Sequence, residues 1–237
     1  MDKNLDLHIK KLQRRAIIDG IAIILLVISI IFLFCLIFNF WIITIGIISI
    51  IYLIYSNHIT KKELRITKFE PIVFKAKKHF SFEKIIHIFD KLTEEENKIC
   101  LTDDLLFYRL NEIFKLRVVL YKTETFCLND FDKAKKRINK FANKKLKISH
   151  WVNKTSASKM MRFNIIYIDS LNDTLYQFIS QNANHNLRRV EGIINIAIIG
   201  NQIIIPPIYG SCDLMEVSRY KNTIKFIKQN LLDNNNL

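Results

Sequence analysis

Glycine is scarce in this chain, and its placement matters more than its number. There are five, and none lies between Gly46 and Gly192. Loops that cradle phosphates need glycine so that the backbone can come close and take positive φ. The glycine-free stretch therefore excludes a P-loop, a dinucleotide fingerprint and a nucleophile elbow, and Gly192, Gly200 and Gly210 fit none of those spacings. Cysteine is nearly as sparse. Cys35, Cys100, Cys127 and Cys212 are scattered, with no C-x-x-C and no histidine at zinc-finger spacing, which argues against structural zinc and a disulfide framework. In a reducing compartment they read as small buried hydrophobes. No metal and no cofactor is expected.

What the chain has in plenty is one long apolar run, residues 16 to 55. A helix rises about 1.5 Å per residue and the hydrocarbon core of a bilayer is about 30 Å thick, so one span needs roughly 20 apolar residues and this run supplies two. A hairpin turning near Asn39 places spans at about 16–38 and 40–55. Phe38, Phe40 and Trp41 at the turn, and Tyr52 and Tyr55 at the far end, are residues that form interfacial belts. A soluble core hairpin would keep a polar stripe, and neither Cys35 nor Asn39 has the small-residue surroundings of a signal cleavage site. Ser29, Thr44, Gly46 and Ser49 are small enough for helix-on-helix packing. Lys3, Lys10, Lys11, Arg14 and Arg15 precede the first span and Lys61, Lys62, Arg65 and Lys68 follow the second, while the turn carries no charge. The positive-inside rule then puts both termini in the cytoplasm, as in a multi-pass protein of a bacterial-type inner (plasma) membrane. Asp19, one turn inside the first span, reads as interfacial or paired with Arg14 or Arg15.

The remainder divides into a basic tail (1–15), the hairpin (16–57), a stalk and linker (58–80) interrupted near Pro71, a cytosolic domain (81–232) and a disordered end (233–237). Ser81 caps a helix with Phe82, Ile85, Ile86, Phe89 and Leu92 on one face. Thr102 is expected to cap a second, with Asp103 and Asp104 at its start and Leu106, Leu110 and Ile113 as its stripe. Residues 116–122 read as a strand, 129–145 as a helix capped by Asn129, 146–152 as a weak strand and 160–168 as a strong one. A helix follows from about Leu171, with Gly192 as its left-handed stop. The runs "IINIAII" and "QIIIPPI" flank Gly200 and Asn201 as a two-residue type II′ hairpin, and Pro206 and Pro207 place the last strand at a sheet edge. A helix from Arg219 to Leu232 closes the chain. The fold class is α+β, a mixed sandwich with a ferredoxin-like order of elements.

Net charge is +14, most of it beyond the hairpin. Its densest surface is expected on the 129–145 helix. There Phe131, Ala134, Ile138 and Phe141 turn inward and Lys133, Lys136, Arg137, Lys140 and Lys144 outward, with Lys147 and Lys154 nearby. Such a surface suits anionic lipid headgroups or a small anionic ligand, although AT-rich coding and an ordinary solvated face are the simpler account of it. Nucleic acid fits poorly, because "RFNIIYI" lacks the glycine–aromatic signature of an RNA-recognition strand. His87 with Asp90, His150 beside Trp151, and Cys212 beside Asp213 do not assemble a nucleophile, a base and an orienting acid, and no catalytic residue is assigned.

The expectation is thus a non-enzymatic integral membrane protein whose partners are the bilayer, an anionic ligand and, through the hairpin, other copies of itself. A two-span layout with a cytosolic domain is similar to the two-span effectors of bacterial defence systems, without a shared motif. That resemblance implies a domain that senses a small anionic signal such as a nucleotide, and hairpins that then assemble to perturb the membrane. A membrane-anchored enzyme stands third.

Overall fold

The computed structural model describes residues 2–34, 40–66, 71–110, 115–146, 160–180, 192–207 and 214–232. The chain divides into two compact units, Met1–Lys68 with Ile208–Ser218, and Phe69–Pro207 with Arg219–Leu237.

The first unit is built on two long helices, α1 (Asp2–Phe34) and α2 (Phe40–Ile66). Both contain stretches long and apolar enough to cross a membrane, Ile9–Phe32 and Phe40–Ile59. The basic tail is not separate from the first stretch but is the opening of the same helix, and α2 runs on past the expected span into the stalk. The two helices pack antiparallel through small side chains. Ala16, Ala22 and Ser29 of α1 and Gly46, Ser49 and Ser56 of α2 are buried, and a Cβ on Gly46 would sit 3.1 Å from that of Ser29. Ser29 and Ser49 each donate to the carbonyl four residues back, on Leu25 and Ile45, so their hydroxyls are satisfied within their own helices. At the other end Arg15 donates to the Ser56 hydroxyl (3.3 Å) and carbonyl, and Ser56 Oγ donates to Asp19 Oδ1 at 2.9 Å. Asp19 and Arg15 are therefore joined through α2.

The second unit is a seven-stranded mixed sheet in the order β1-β7-β6-β5-β4-β3-β2. Its strands are β1 (Ile72–Lys75), β2 (Lys98–Thr102), β3 (Leu105–Leu110), β4 (Lys115–Lys122), β5 (Met160–Tyr167), β6 (Gly192–Ile199) and β7 (Gln202–Ile205). Helices are α3 (Phe82–Lys91), α4 (Leu128–Lys145), α5 (Asp173–Ser180) and α6 (Leu214–Phe226), which belongs to this unit from Arg219 on and is continued by a π-helical turn, Ile227–Leu232. Strands β4, β5 and β6 are parallel neighbours, and the remaining pairs are antiparallel. This is an α+β chain but not a ferredoxin-like one. A split βαβ leaves room for a strand between its parallel pair, whereas α4 and α5 here connect strands that touch.

Two crossovers stepping the same way place their helices on one face. Phe131 of α4 and Leu175 and Ile179 of α5 meet there over Ile166, Ala197 and Ile204. The other face carries α3 and the end of the chain, where Phe89 stacks on Phe226 (6.2 Å) and Phe163 meets Phe226 edge-on (5.4 Å).

Several expectations need correction. The helix expected after Thr102 is strand β3. Leu106 and Leu110 do recur at helical spacing, but Leu105 to Tyr108 are all buried. A run apolar on both faces belongs inside a covered sheet, and Asp103 and Asp104 form the tight turn from β2. The linker read over 58–80 ends earlier, since β1 pairs with β7 and Phe80 N–H donates to the Gly200 carbonyl at 2.8 Å. For the same reason β7 is interior, and Pro206 and Pro207 terminate it without guarding an edge. Gly192 opens β6 and stops no helix. It is needed because a Cβ there would come within 2.8 Å of Arg219 Cδ. Gly200, at φ +57°, supplies the left-handed residue of the β6–β7 turn. The weak strand at 146–152, the hairpin turn near Asn39, the end of the helix after Ser180 and the 233–237 tail lie outside the described residues.

Candidate anion-binding site

Two basic features occupy the α4 side of the sheet. The first is α4 itself. It begins at Leu128 after Cys127, which makes no side-chain cap, so Asn129 lies inside the helix. Phe131, Ile138 and Ala142 are buried, Ala134 is half-buried, and Phe141 is 47% exposed. The inward stripe thus drifts from position 138 to 142 and leaves Phe141 outside, as 3.6 residues per turn require. Lys133, Lys136, Arg137, Lys140 and Lys144 are all exposed, as expected. Lys133 lies 3.8 Å from Asp130. Lys135 is drawn aside to Asp132 at 2.5 Å, with its ammonium 5.1 Å above the Phe131 ring. Lys136, Arg137, Lys140 and Lys144 make no ion pair among the described residues, so with Phe141 between them the stripe combines uncompensated charge and one large aromatic. Lys147 and Lys154 lie outside the described residues.

The second feature was not anticipated. Arg109 on β3 pairs in register with Arg117 on β4, and Arg117 with Arg162 on β5. In the row above, Phe107 and Val119 pack against Ile138 and Ala142 of α4, so side-chain alternation sets the three arginines on the α4 side too. All three are half-buried. The row above continues into Asn164 and Asn195, both buried, where Asn164 Nδ2 donates to Asn195 Oδ1 at 2.7 Å. Asn164 Oδ1 accepts no hydrogen bond from the described residues. Neighbouring strands lie about 4.8 Å apart, so three guanidinium stems leave the sheet within about 10 Å. The signal was present in the sequence, one arginine in each of three strand segments. Reading it needed the register of β3, a segment expected to be helical.

The opposite face holds an ion pair of structural character. Lys98 bonds Asp90 at 2.6 Å and stands 5.8 Å above the Tyr108 ring. Burial pushes the Tyr108 phenol far above its usual value, with Asp90 adding to the shift. At the carboxyl end of β5 the Tyr167 hydroxyl donates to the Phe80 carbonyl (3.1 Å), and burial followed by Asp169 and Glu83 raises its pKa. His87 is exposed, and Asp173 opens α5 while Asn172 Oδ1 accepts from Leu175 N–H as the cap. His150, Trp151, Cys212 and Asp213 lie outside the described residues. No cluster of three metal-binding side chains occurs among the described residues.

No family model matches the chain, nor does any curated protein or solved structure compared with it.

Proposed function

We propose that this chain is a multi-pass protein of the inner (plasma) membrane with both termini in the cytoplasm. Helices α1 and α2 anchor it, and its basic domain binds anionic lipid headgroups through α4. The observation that carries this reading is the α4 stripe, in which Lys136, Arg137, Lys140 and Lys144 surround the exposed Phe141. An aromatic side chain amid cations matches a headgroup layer, which offers negative charge and apolar depth together. Each cation near an anionic leaflet is worth about 1 kcal/mol. The full chain in nanodiscs should therefore melt at a higher temperature in phosphatidylcholine with 30% phosphatidylglycerol than in phosphatidylcholine alone. Reversing Lys136, Arg137 and Lys140 to Glu should erase the difference, and added salt should mimic the loss by screening. An unchanged difference in the triple variant would reduce the stripe to a solvated face.

A second reading, the two-span effector responding to a small anionic signal, draws support from the apolar surface that α1 and α2 leave uncovered. Ile24, Ile31, Ile48, Ile51, Ile54 and Trp41 are all exposed after the helices have packed. It predicts growth arrest on expression of the full chain and none when the hairpin is removed.

A further inference from the structure

We infer that the apolar belt of the α1–α2 hairpin is shorter than an ordinary bilayer is thick, so that the protein thins the lipid around it and clusters with other copies of itself. One packed seam runs along α1 through Ile9, Leu12, Ala16, Ala22 and Ser29, all buried. The surface beside that seam changes character at one level. Up to Arg14 it carries charge, with Lys10, Lys11 and Arg14 exposed, while the large apolar residues Ile9 and Leu12 are tucked in, which is how a helix packs in water. From Ile17 the arrangement inverts. Ile17, Ile18, Ile21, Ile23 and Ile24 face outward and the buried positions are small, which is how a helix packs in lipid. On α2 the same level falls at Ser56. Ile50, Ile51, Ile54 and Tyr55 before it are exposed, and Asn57 and His58, also exposed, follow it. The two levels coincide because Arg15 and Asp19 both hydrogen-bond to Ser56.

Ile9–Phe32 and Phe40–Ile59 are each apolar enough to cross, but the surface that suits hydrocarbon is narrower. On α2 it reaches from Phe40 to Tyr55, which at about 1.5 Å per residue is a belt of about 24 Å. The hydrocarbon core it must match is about 30 Å thick. Aromatic side chains suited to an interface mark both ends: exposed Phe40 and Trp41, with rings 6.1 Å apart, at one and exposed Tyr55 at the other. A belt that is too long can tilt, but tilting only shortens a short one further. Drawing the lower helix ends into the hydrocarbon would carry the charges of Arg15 and Asp19 with them. Local thinning remains, with copies gathering so that they share one thinned patch. Such a patch is a means by which a two-span effector weakens a bilayer, so the short belt deepens that reading and, like it, rests on α1 and α2 being spans.

The full chain, carrying a donor or an acceptor fluorescent protein at its C-terminus, is reconstituted at a fixed protein-to-lipid ratio into vesicles of dimyristoleoyl, dioleoyl or dierucoyl phosphatidylcholine. These increase in thickness and share one zwitterionic headgroup, so the α4 stripe does not enter the comparison. Energy transfer should be least in the thinnest lipid, and the apparent association constant should rise about tenfold across the series. Arg14→Leu, Asn57→Leu and His58→Leu together extend the belt by about one turn on both helices, at positions that are exposed, and should move the minimum to dioleoyl lipid. Accessibility locates the belt directly. With the four native cysteines replaced by alanine, an impermeant maleimide should label Lys10→Cys and His58→Cys in dioleoyl nanodiscs and leave Ile18→Cys and Ile54→Cys unlabelled. A chain that does not float with the vesicles refutes the spans, and the short belt with them. The spans stand and the short belt is overturned by a floating chain that transfers energy equally in all three lipids, by a minimum that the triple variant does not move, or by shielding of Lys10→Cys as complete as that of Ile18→Cys.

Discussion

The two units place the same residue types in opposite positions. In the hairpin Ile21, Ile24, Ile48 and Ile51 face outward while Ser29, Ser49 and Ser56 are buried. In the sheet unit Ile165, Ile166, Ile196 and Ile198 are fully buried, and the charged residues of α4 face out. One arrangement suits a surrounding hydrocarbon, in which apolar side chains gain nothing from contact with one another and helices associate through close packing of small residues. The other suits water, where removing about 25 cal/mol worth of surface per Å² drives the core together. The comparison teaches that hydrophobic content is no guide to burial until the solvent is named.

The largest contrast should come from truncating one aromatic in each unit. Phe131 has no exposed surface and meets Tyr121, Phe126 and Phe178 at ring distances of 5.7, 5.8 and 5.6 Å. Phe131→Ala should cost about 3–5 kcal/mol, whereas Phe40→Ala, at a residue 76% exposed, should leave thermal stability in micelles nearly unchanged. Comparable losses would break the contrast.

Close packing is tested next. Gly192→Ala forces a methyl against Arg219, and Gly46→Leu forces a side chain against Ser29; each should cost about 1–3 kcal/mol by overpacking. The first should be felt in a melt of the sheet unit followed by circular dichroism. The second should be felt in the α1–α2 distance, measured by energy transfer between labelled helices. A Gly46→Leu hairpin of unchanged spacing would show that the small residues do not set it.

Polar burial gives an effect of similar size that is more diagnostic. Asn164→Leu leaves Asn195 without its donor and should cost about 1–3 kcal/mol, while replacing both asparagines with leucine should recover much of that loss. Failure of the second substitution to recover stability would tie both residues to a ligand or to packing of another kind.

The smallest effect concerns pH. Because the Tyr108 phenol is raised in the folded chain, an unfolded chain releases that proton from about pH 10 upward while the folded chain keeps it. Stability should be unaffected by Tyr108 below that pH and should fall as pH rises beyond it. Tyr108→Phe should flatten the alkaline limb of a stability profile measured by urea titration. An identical limb in the variant would assign the slope to other groups.

Much of this was legible in the chain. The two long apolar helices, strands β4 and β5, the outward face of α4 and the β6–β7 turn at Gly200 follow from local patterns of period, cap and turn. Where the reading failed, the local signal was ambiguous and distant partners decided. "LLFYRL" carries helical spacing and strand composition at once, and it becomes β3 because the sheet buries both its sides. Ile72–Lys75 looked like linker because a four-residue edge strand has too little pattern to stand out. It is recruited by β7, whose hydrogen-bonding edge would otherwise be open. The α4 lysines could be assigned to one surface from helical periodicity, while the arginine row could not be assembled by any local rule.

The sequence alone determined which segments are long and apolar enough to cross a membrane, which surface of α4 is cationic, and which nucleotide loops are excluded, because these depend on residues within a few turns of one another. Tertiary structure alone decided the strand order, the interior place of β7 and the alignment of Arg109, Arg117 and Arg162. Those depend on hydrogen-bonded register between segments far apart in the chain, and a shift of one residue in any strand would send its arginine to the opposite face.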